Sequence, residues 1–184
     1  FEVMCNMLAE LKDGHVNLSS GFDVGRNWSF YEDYPANYND SIAKLYLGHN
    51  YQIASGLKYV IFDDNIGYVR CETFSTGVSD GNISYMLSNL ASCTALIIDV
   101  RDNGGGKMTK ADTFASHFTN NSILTGYVSH KTGKAHDDFS APKAMHLNPA
   151  SDGIRWQKPV VVLTNRAVYS AANDFVKSMR QCPN

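Results

Sequence analysis

Apolar residues recur along this chain at two periods, and the alternation between those periods outlines its elements. Phe1, Met4, Cys5, Leu8 and Leu11 fall at helical spacing, and Asp13-Gly14 supplies a stop, so a helix is expected over residues 1–12. His15-Val16-Asn17-Leu18 alternates polar and apolar positions, as a short strand does. From Ser20 to Asn50, aromatic, Asn, Gly and Asp residues mix without a period, which predicts loops with at most short strands. Leu57–Phe62 and Ile66–Cys71 are β-type runs on either side of Asp63-Asp64-Asn65 and read as a hairpin-like pair. Asn82–Ala91 carries Ile83, Met86, Leu87 and Leu90 on one helical face.

Two nearly unbroken apolar runs then stand out, TALIIDV at 94–100 and PVVVLT at 159–164. Runs of this kind predict strands buried on both faces of a sheet. The first leads through Asn103-Gly104-Gly105-Gly106 into a helix predicted over 108–118, with Met108, Ala111, Phe114, Ala115 and Phe118 inward. The second leads through residues 165–169 into a helix from Ser170 to about Met179. Residues 123–129 form a further strand candidate, and polar residues 131–152, with Pro142 and Pro149, predict a surface excursion. Strands that each deliver a loop and a helix imply an α/β architecture around a mainly parallel buried sheet flanked by helices.

Composition narrows the function classes. At 184 residues the chain suits one structural unit, with an N-terminal segment over 1–56 and a core over 57–184. It is 43% hydrophobic and 18% charged, enough apolar material for a real core. A net charge of −2 gives no electrostatic reason to expect nucleic acid or an anionic membrane as partner. The sequence has no 18-residue apolar run, so no membrane-spanning segment is expected. Phe1 opens directly into a helical pattern rather than a leader, which suggests a piece of a longer protein. Cys5, Cys71, Cys93 and Cys182 form no close pair and read as buried free thiols.

Three constellations could carry chemistry. The glycines at 104–106 leave backbone N–H groups open to close approach at the mouth of a helix, where the dipole favours negative charge. They match neither a phosphate loop, since Arg101 and Met108 occupy positions that need Gly and Ser/Thr, nor a dinucleotide loop. They suit an oxyanion better, although a sharp strand-to-helix turn would explain them as well. Ser170 follows an apolar strand and opens a helix beside Ala171 and Ala172. That is the logic of a nucleophile elbow without the G-x-S-x-G sequence, and equally the place of an ordinary N-cap serine. His15 sits just after a helix end, where an imidazole could act as general base or simply be a hydrogen-bonded structural residue. His49, His117, His130, His136 and His146 show no ligand spacing, so neither a metal site nor a cofactor is expected.

The segments LKDGHVNL (11–18), IGYVRCETFS (66–75), ALIIDVRDNGGG (95–106) and KPVVVLTNRAVYSAANDFV (158–176) resemble, in this order, blocks of the C-terminal-processing (tail-specific) and tricorn serine peptidases. The resemblance implies a crotonase-like α/β core, incomplete at both ends, that hydrolyses peptide bonds through an acyl-enzyme. It makes Ser170 the nucleophile, with the N–H groups of Ala171 and Gly105 as oxyanion hole and Gly104 and Gly106 as the supporting loop. In the tail-specific branch a lysine well beyond the serine is the base. In the tricorn branch a histidine near the start of the core takes that role, with a downstream glutamate to orient it. Neither downstream residue is expected before Asn184, and Lys177, seven residues after Ser170 on its own helix, does not stand in. His15 in the D-G-H block matches the tricorn-type histidine. Asn173 stands where tail-specific enzymes usually carry Glu, and the 47 residues from 19 to 65 are too few for a PDZ domain.

The implied partner is a peptide or polypeptide substrate, and analogy with the family implies an extracytoplasmic location. The alternatives are a non-catalytic ligand-binding protein on the same fold, as in the retinoid-binding proteins of the eye, and an acyl-CoA enzyme of the crotonase type. Joint retention of Ser170, the glycines and His15 favours the peptidase.

Overall fold

The computed structural model describes residues 1–27 and 33–183; residues 28–32 of the segment expected to be loop lie outside them. The chain divides into two compact units, Phe1–Asn37 and Tyr38–Asn184.

In the first unit, helix α1 (Glu2–Ala9) is shorter than its apolar period predicted. It closes through turn bonds from Leu11 and Lys12 back to Leu8 and Ala9. Strands β1 (Asn17–Ser19) and β2 (Val24–Arg26) pair antiparallel around Leu18 and Gly25. Gly25 lies so close to Cys5 of α1 that a Cβ would collide with the thiol.

The second unit begins with helix α2 (Asp40–Leu47), inside the stretch whose pattern predicted loops. None of its residues is buried, although Ile42, Leu45 and Tyr46 fall at helical spacing. A cap and an ion pair hold it instead: Asn39 Oδ1 accepts from the Ile42 N–H at 3.1 Å, and Asp40 pairs with Lys44. Gly48, at φ 70°, ends it.

A five-stranded sheet follows, in the order β3 (Gln52–Ala54), β4 (Leu57–Ile61), β5 (Ile66–Cys71), β6 (Ala95–Asp99) and β9 (Val160–Leu163). The pairs β3–β4 and β4–β5 are antiparallel, as the hairpin pattern predicted, whereas β5–β6 and β6–β9 are parallel. Helix α3 (Asp80–Asn89) makes the crossover from β5 to β6 and buries Ile83, Met86 and Leu87. Helix α4 (Met108–Ser116) follows β6, and helix α5 (Ala171–Met179) follows β9.

Between α4 and β9, β7 (Ile123–Val128), on the strand expected at 123–129, pairs antiparallel with β8 (Lys143–Leu147) from the polar excursion to form a separate ribbon. Strand β8 is mostly exposed, which removes the apolar alternation that would have announced it. Strand β9 also departs from expectation: Val161 is 57% exposed, because β9 is the last strand in the order and one of its faces is uncovered among the described residues.

The core gathers the buried faces of α3, α4 and α5 with those of β4, β5 and β6. The Phe114 ring stacks on Phe175 at 5.2 Å between centroids, and Phe74 meets Phe175 at 5.4 Å. These fully buried rings lock α5 to α4 and to the chain just beyond β5, and so fix the start of α5 in space. All four cysteines are free, with Cys71 and Cys93 buried.

Candidate active site

The carboxyl ends of three parallel strands, β5, β6 and β9, converge on one edge of the sheet, the place where open α/β sheets carry their sites. The floor there is ionic. Asp99 ends β6, fully buried, and its carboxylate accepts from Tyr68 Oη at 2.7 Å and Arg101 Nη2 at 2.6 Å. Arg70 Nη1 approaches the same carboxylate at 3.4 Å and donates to the Arg101 carbonyl. Burial pushes the Asp99 carboxyl up, but the bonds from Arg101 and Tyr68 and the charge of Arg70 outweigh it and hold the group below the usual range. The Arg70 guanidinium also lies 4.1 Å from the centre of the Tyr38 ring. This cluster anchors the loop that leaves β6.

That loop is shaped by Asn103 and the glycines. Asn103 is fully buried; its Oδ1 accepts from the Gly105 N–H at 2.9 Å, and its Nδ2 donates to the Cys71 carbonyl at 3.0 Å. Gly105 has φ 96°, and a Cβ there would stand 2.8 Å from Ser170 Cβ and 3.0 Å from the Ala171 nitrogen. Only glycine lets the loop reach the serine that closely. Gly106, at φ 142°, leaves no room either, since its Cβ would land on the backbone of Phe74 and Ser75. Gly104 differs: it is exposed, and nothing lies near its would-be Cβ.

Phe74 bridges Gly106 in a short parallel pairing. The Phe74 N–H donates to the Gly105 carbonyl at 2.9 Å, and the Lys107 N–H donates to the Phe74 carbonyl at 3.0 Å. The Thr73 hydroxyl donates to the Gly105 carbonyl as well, at 3.2 Å. Because the peptide is planar and trans, a Gly105 carbonyl turned towards the β5 side turns the Gly106 N–H towards the β9 side, where the Ser170 loop lies. The Gly106 N–H has no acceptor among the described residues.

Ser170 itself sits at φ 53°, ψ −129°, a backbone region that side-chain-bearing residues rarely occupy, and its side chain makes no capping bond to α5. Ser170 thus stands at the N-cap position of α5 without the side-chain bond of a capping serine. The Ala171 N–H, first of the helix, is one of the donors that no helix satisfies internally, and Ala171 is fully buried. The loop before Ser170 is tied to the glycine loop at two points. The Tyr169 N–H donates to the Asn103 carbonyl at 3.1 Å, and Asn165 and Asp102 exchange two hydrogen bonds, at 3.0 and 2.6 Å.

The structure thus brings Ser170, Ala171, Gly105 and Gly106 together, with Gly104 beside them. Lys177 lies two turns along α5 with its ammonium against Gly126 of β7. His15 belongs to the first unit, where its Nδ1 lies 3.1 Å from Asp13 Oδ1; both side chains are about half exposed. Among the described residues no three His, Cys, Asp or Glu side chains gather as metal ligands. Apolar period and motif spacing do not reveal what Asn103, Thr73 and the Asn165–Asp102 exchange do in the fold. Asn103 alone carried a signal, as the polar residue inside D-x-R-x-N-G-G-G.

A solved structure from Parabacteroides merdae, named as a peptidase, is 52% identical over 99% of this chain, with a TM-score of 0.92. The alignment covers 58% of that protein, so this chain spans less than two thirds of its relative's length. A Bacteroides fragilis protein named as an S41 protease is 16% identical over 68% of this chain and 35% of its own, with a TM-score of 0.51. A Streptococcus agalactiae lipoprotein is 20% identical over 70% of this chain and 46% of its own, with a TM-score of 0.50. The last two establish the shared fold. The sequence profile of peptidase family S41 matches residues 65–184, and the chain belongs to that family.

Proposed function

We propose that the protein is a serine endopeptidase in which Ser170 attacks the scissile carbonyl and an acyl-enzyme forms and hydrolyses. The observation that carries this reading is the strained, non-capping Ser170 at the mouth of α5 with Gly105 packed against its Cβ. Attack converts the substrate carbonyl to an oxyanion, and two backbone N–H groups are the donors for it. Ala171 supplies one. For the other, the Gly105 N–H expected from the sequence is already bonded to Asn103, and the Gly106 N–H is the better fit.

His15 is the favoured base. If Nδ1 carries its proton towards Asp13, the basic lone pair resides on Nε2, the arrangement a proton acceptor for serine needs. Asp13 then does locally what a downstream glutamate does in the tricorn branch. On this reading the chain follows tricorn-like rather than tail-specific logic, without selection of C-terminal tails by a PDZ domain. The substrate is a polypeptide that enters along the edge where β5, β6 and β9 end. No described helix is long and apolar enough to cross a membrane. An extracytoplasmic setting is supported by the lipoprotein among the structural relatives.

Hydrolysis of an unstructured protein such as casein by the full-length enzyme tests the reading, with Ser170→Ala and His15→Ala beside it. Turnover is expected in the wild type, with none measurable in Ser170→Ala and a severe loss in His15→Ala. Near-normal turnover in His15→Ala overturns the histidine assignment, and turnover in Ser170→Ala overturns the peptidase mechanism.

A further inference from the structure

We propose that Asn103 is a positioning residue of the oxyanion site: its carboxamide fixes the Gly104–Gly105 peptide, and so the Gly105 conformation from which the next peptide presents the Gly106 N–H to the nucleophile. The inference rests on the reading of Ser170 as nucleophile and adds to it a residue that touches no reacting atom.

The argument begins with the cost of burying an amide. A carboxamide removed from water is costly unless bonded, so an apolar side chain would serve better if packing were all the site required. Asn103 is fully buried and all its polar groups are engaged. Its N–H donates to the Val100 carbonyl, and its own carbonyl accepts from Tyr169, the residue before Ser170. Nδ2 donates to the Cys71 carbonyl and points a second time at Cys71 Sγ, 3.8 Å away. That thiol is pushed up to about 12 by burial, so it is neutral and makes no charged demand on the amide. Oδ1 takes the Gly105 N–H. One side chain thus joins the end of β5, the glycine loop and, through its main chain, the loop that delivers the nucleophile.

Gly105 and Gly106 have no Cβ atoms, so their own sterics do not choose a peptide orientation. Outside bonds choose it on both sides of the Gly105 Cα: Asn103 holds the Gly104–Gly105 peptide by its N–H, and Phe74 and Thr73 hold the Gly105–Gly106 peptide by its carbonyl. With the carbonyl held on the β5 side, the next N–H faces the β9 side. Removing the Asn103 bond frees the Gly104–Gly105 peptide, and a turn there changes φ at Gly105 and displaces the Gly106 N–H that follows. A misplacement of about 1 Å at such a donor costs on the order of 10²-fold in rate. The effect falls on kcat, because the oxyanion exists only after attack.

The test uses full-length enzyme labelled with ¹⁵N-glycine, before and after reaction with a fluorophosphonate that leaves a phosphonyl oxygen in the oxyanion position. In the free enzyme the Gly105 amide is expected to be protected from hydrogen exchange and the Gly106 amide to exchange readily. On adduct formation the Gly106 resonance is expected to move downfield while Gly105 stays. A shift confined to Gly105 overturns the inference while leaving Ser170 as nucleophile, whereas absence of any adduct overturns the nucleophile itself. In the folded Asn103→Ala variant, kcat is expected to fall about 10- to 100-fold with KM within about threefold, whereas Asn103→Asp, which keeps an oxygen acceptor for the Gly105 N–H, is expected to lose less. In Asn103→Ala, exchange protection at Gly105 is expected to be lost. Wild-type kcat in a folded Asn103→Ala protein overturns the inference. Should neither variant fold, the wild-type resonances decide it.

Discussion

Two loops, each leading from a parallel strand into a helix, meet at this site and are held in shape by different means. The loop from β6 to α4 is wired: Asp99, Arg101, Asn103, Phe74 and Thr73 bond its backbone or its base, and its two tight approaches are glycines. The loop from β9 to α5 places the side-chain-bearing Ser170 at positive φ and relies on Tyr169 and Asn165 to tie it to its neighbour. A loop that must present backbone donors needs fixed peptide planes, and hydrogen bonds fix planes. A loop that must push one side chain out of the helix mouth needs a sharp turn at that residue, and strain there is the consequence.

The contrast can be broken at either loop. The largest effect belongs to Ser170→Ala, which is expected to lower kcat/KM for a peptide by at least about 10⁴-fold with little change in thermal stability. Next comes Asp99→Asn, which leaves Arg70 and Arg101 without their buried counter-charge. A loss of about 3–5 kcal/mol is expected in denaturant unfolding. The same carboxylate sets a pH dependence. Its folded-state pKa lies below the unfolded value, so its contribution is complete above about pH 4 and is lost as pH falls through the folded value. Wild-type stability should therefore drop on acidification, and the Asp99→Asn protein should lack that part of the drop.

Gly105→Ala and Gly106→Ala are each expected to cost about 10²–10³ in kcat by moving a donor, whereas Gly104→Ala, in open space, should cost less than about threefold. The smallest effect sharpens the other side of the comparison. Ser170→Gly removes the strained side-chain-bearing residue and should unfold about 1 kcal/mol later than Ser170→Ala, which keeps it. Equal stability of the two variants would deny that Ser170 stores strain.

What the sequence made legible follows from where each residue lies. Strand β6 and the helices α3, α4 and α5 are buried on at least one face, so their apolar periods survive in the sequence and located the glycine loop and Ser170. Helix α2 and strand β8 bury almost nothing and are held by a cap, an ion pair and ladder bonds; the short repeat of Ile42, Leu45 and Tyr46 does not stand out from the mixed residues around it. The three glycines are identical letters, and only their neighbours in space separate Gly104 from Gly105 and Gly106. Asn103 could be seen as part of a motif, but its role depends on Cys71, 32 residues earlier. Strained φ at Ser170 likewise has no sequence signature, since serine before a helix is usually a cap.

The central claim is that Ser170 is an activated nucleophile, and the most direct measurement is the site of covalent modification. Full-length enzyme treated with a fluorophosphonate and digested should yield a single modified peptide, with the label on Ser170 and none on other serines. A folded wild type that takes up no label, or takes it up elsewhere, would contradict the account and favour a binding protein built on the same fold.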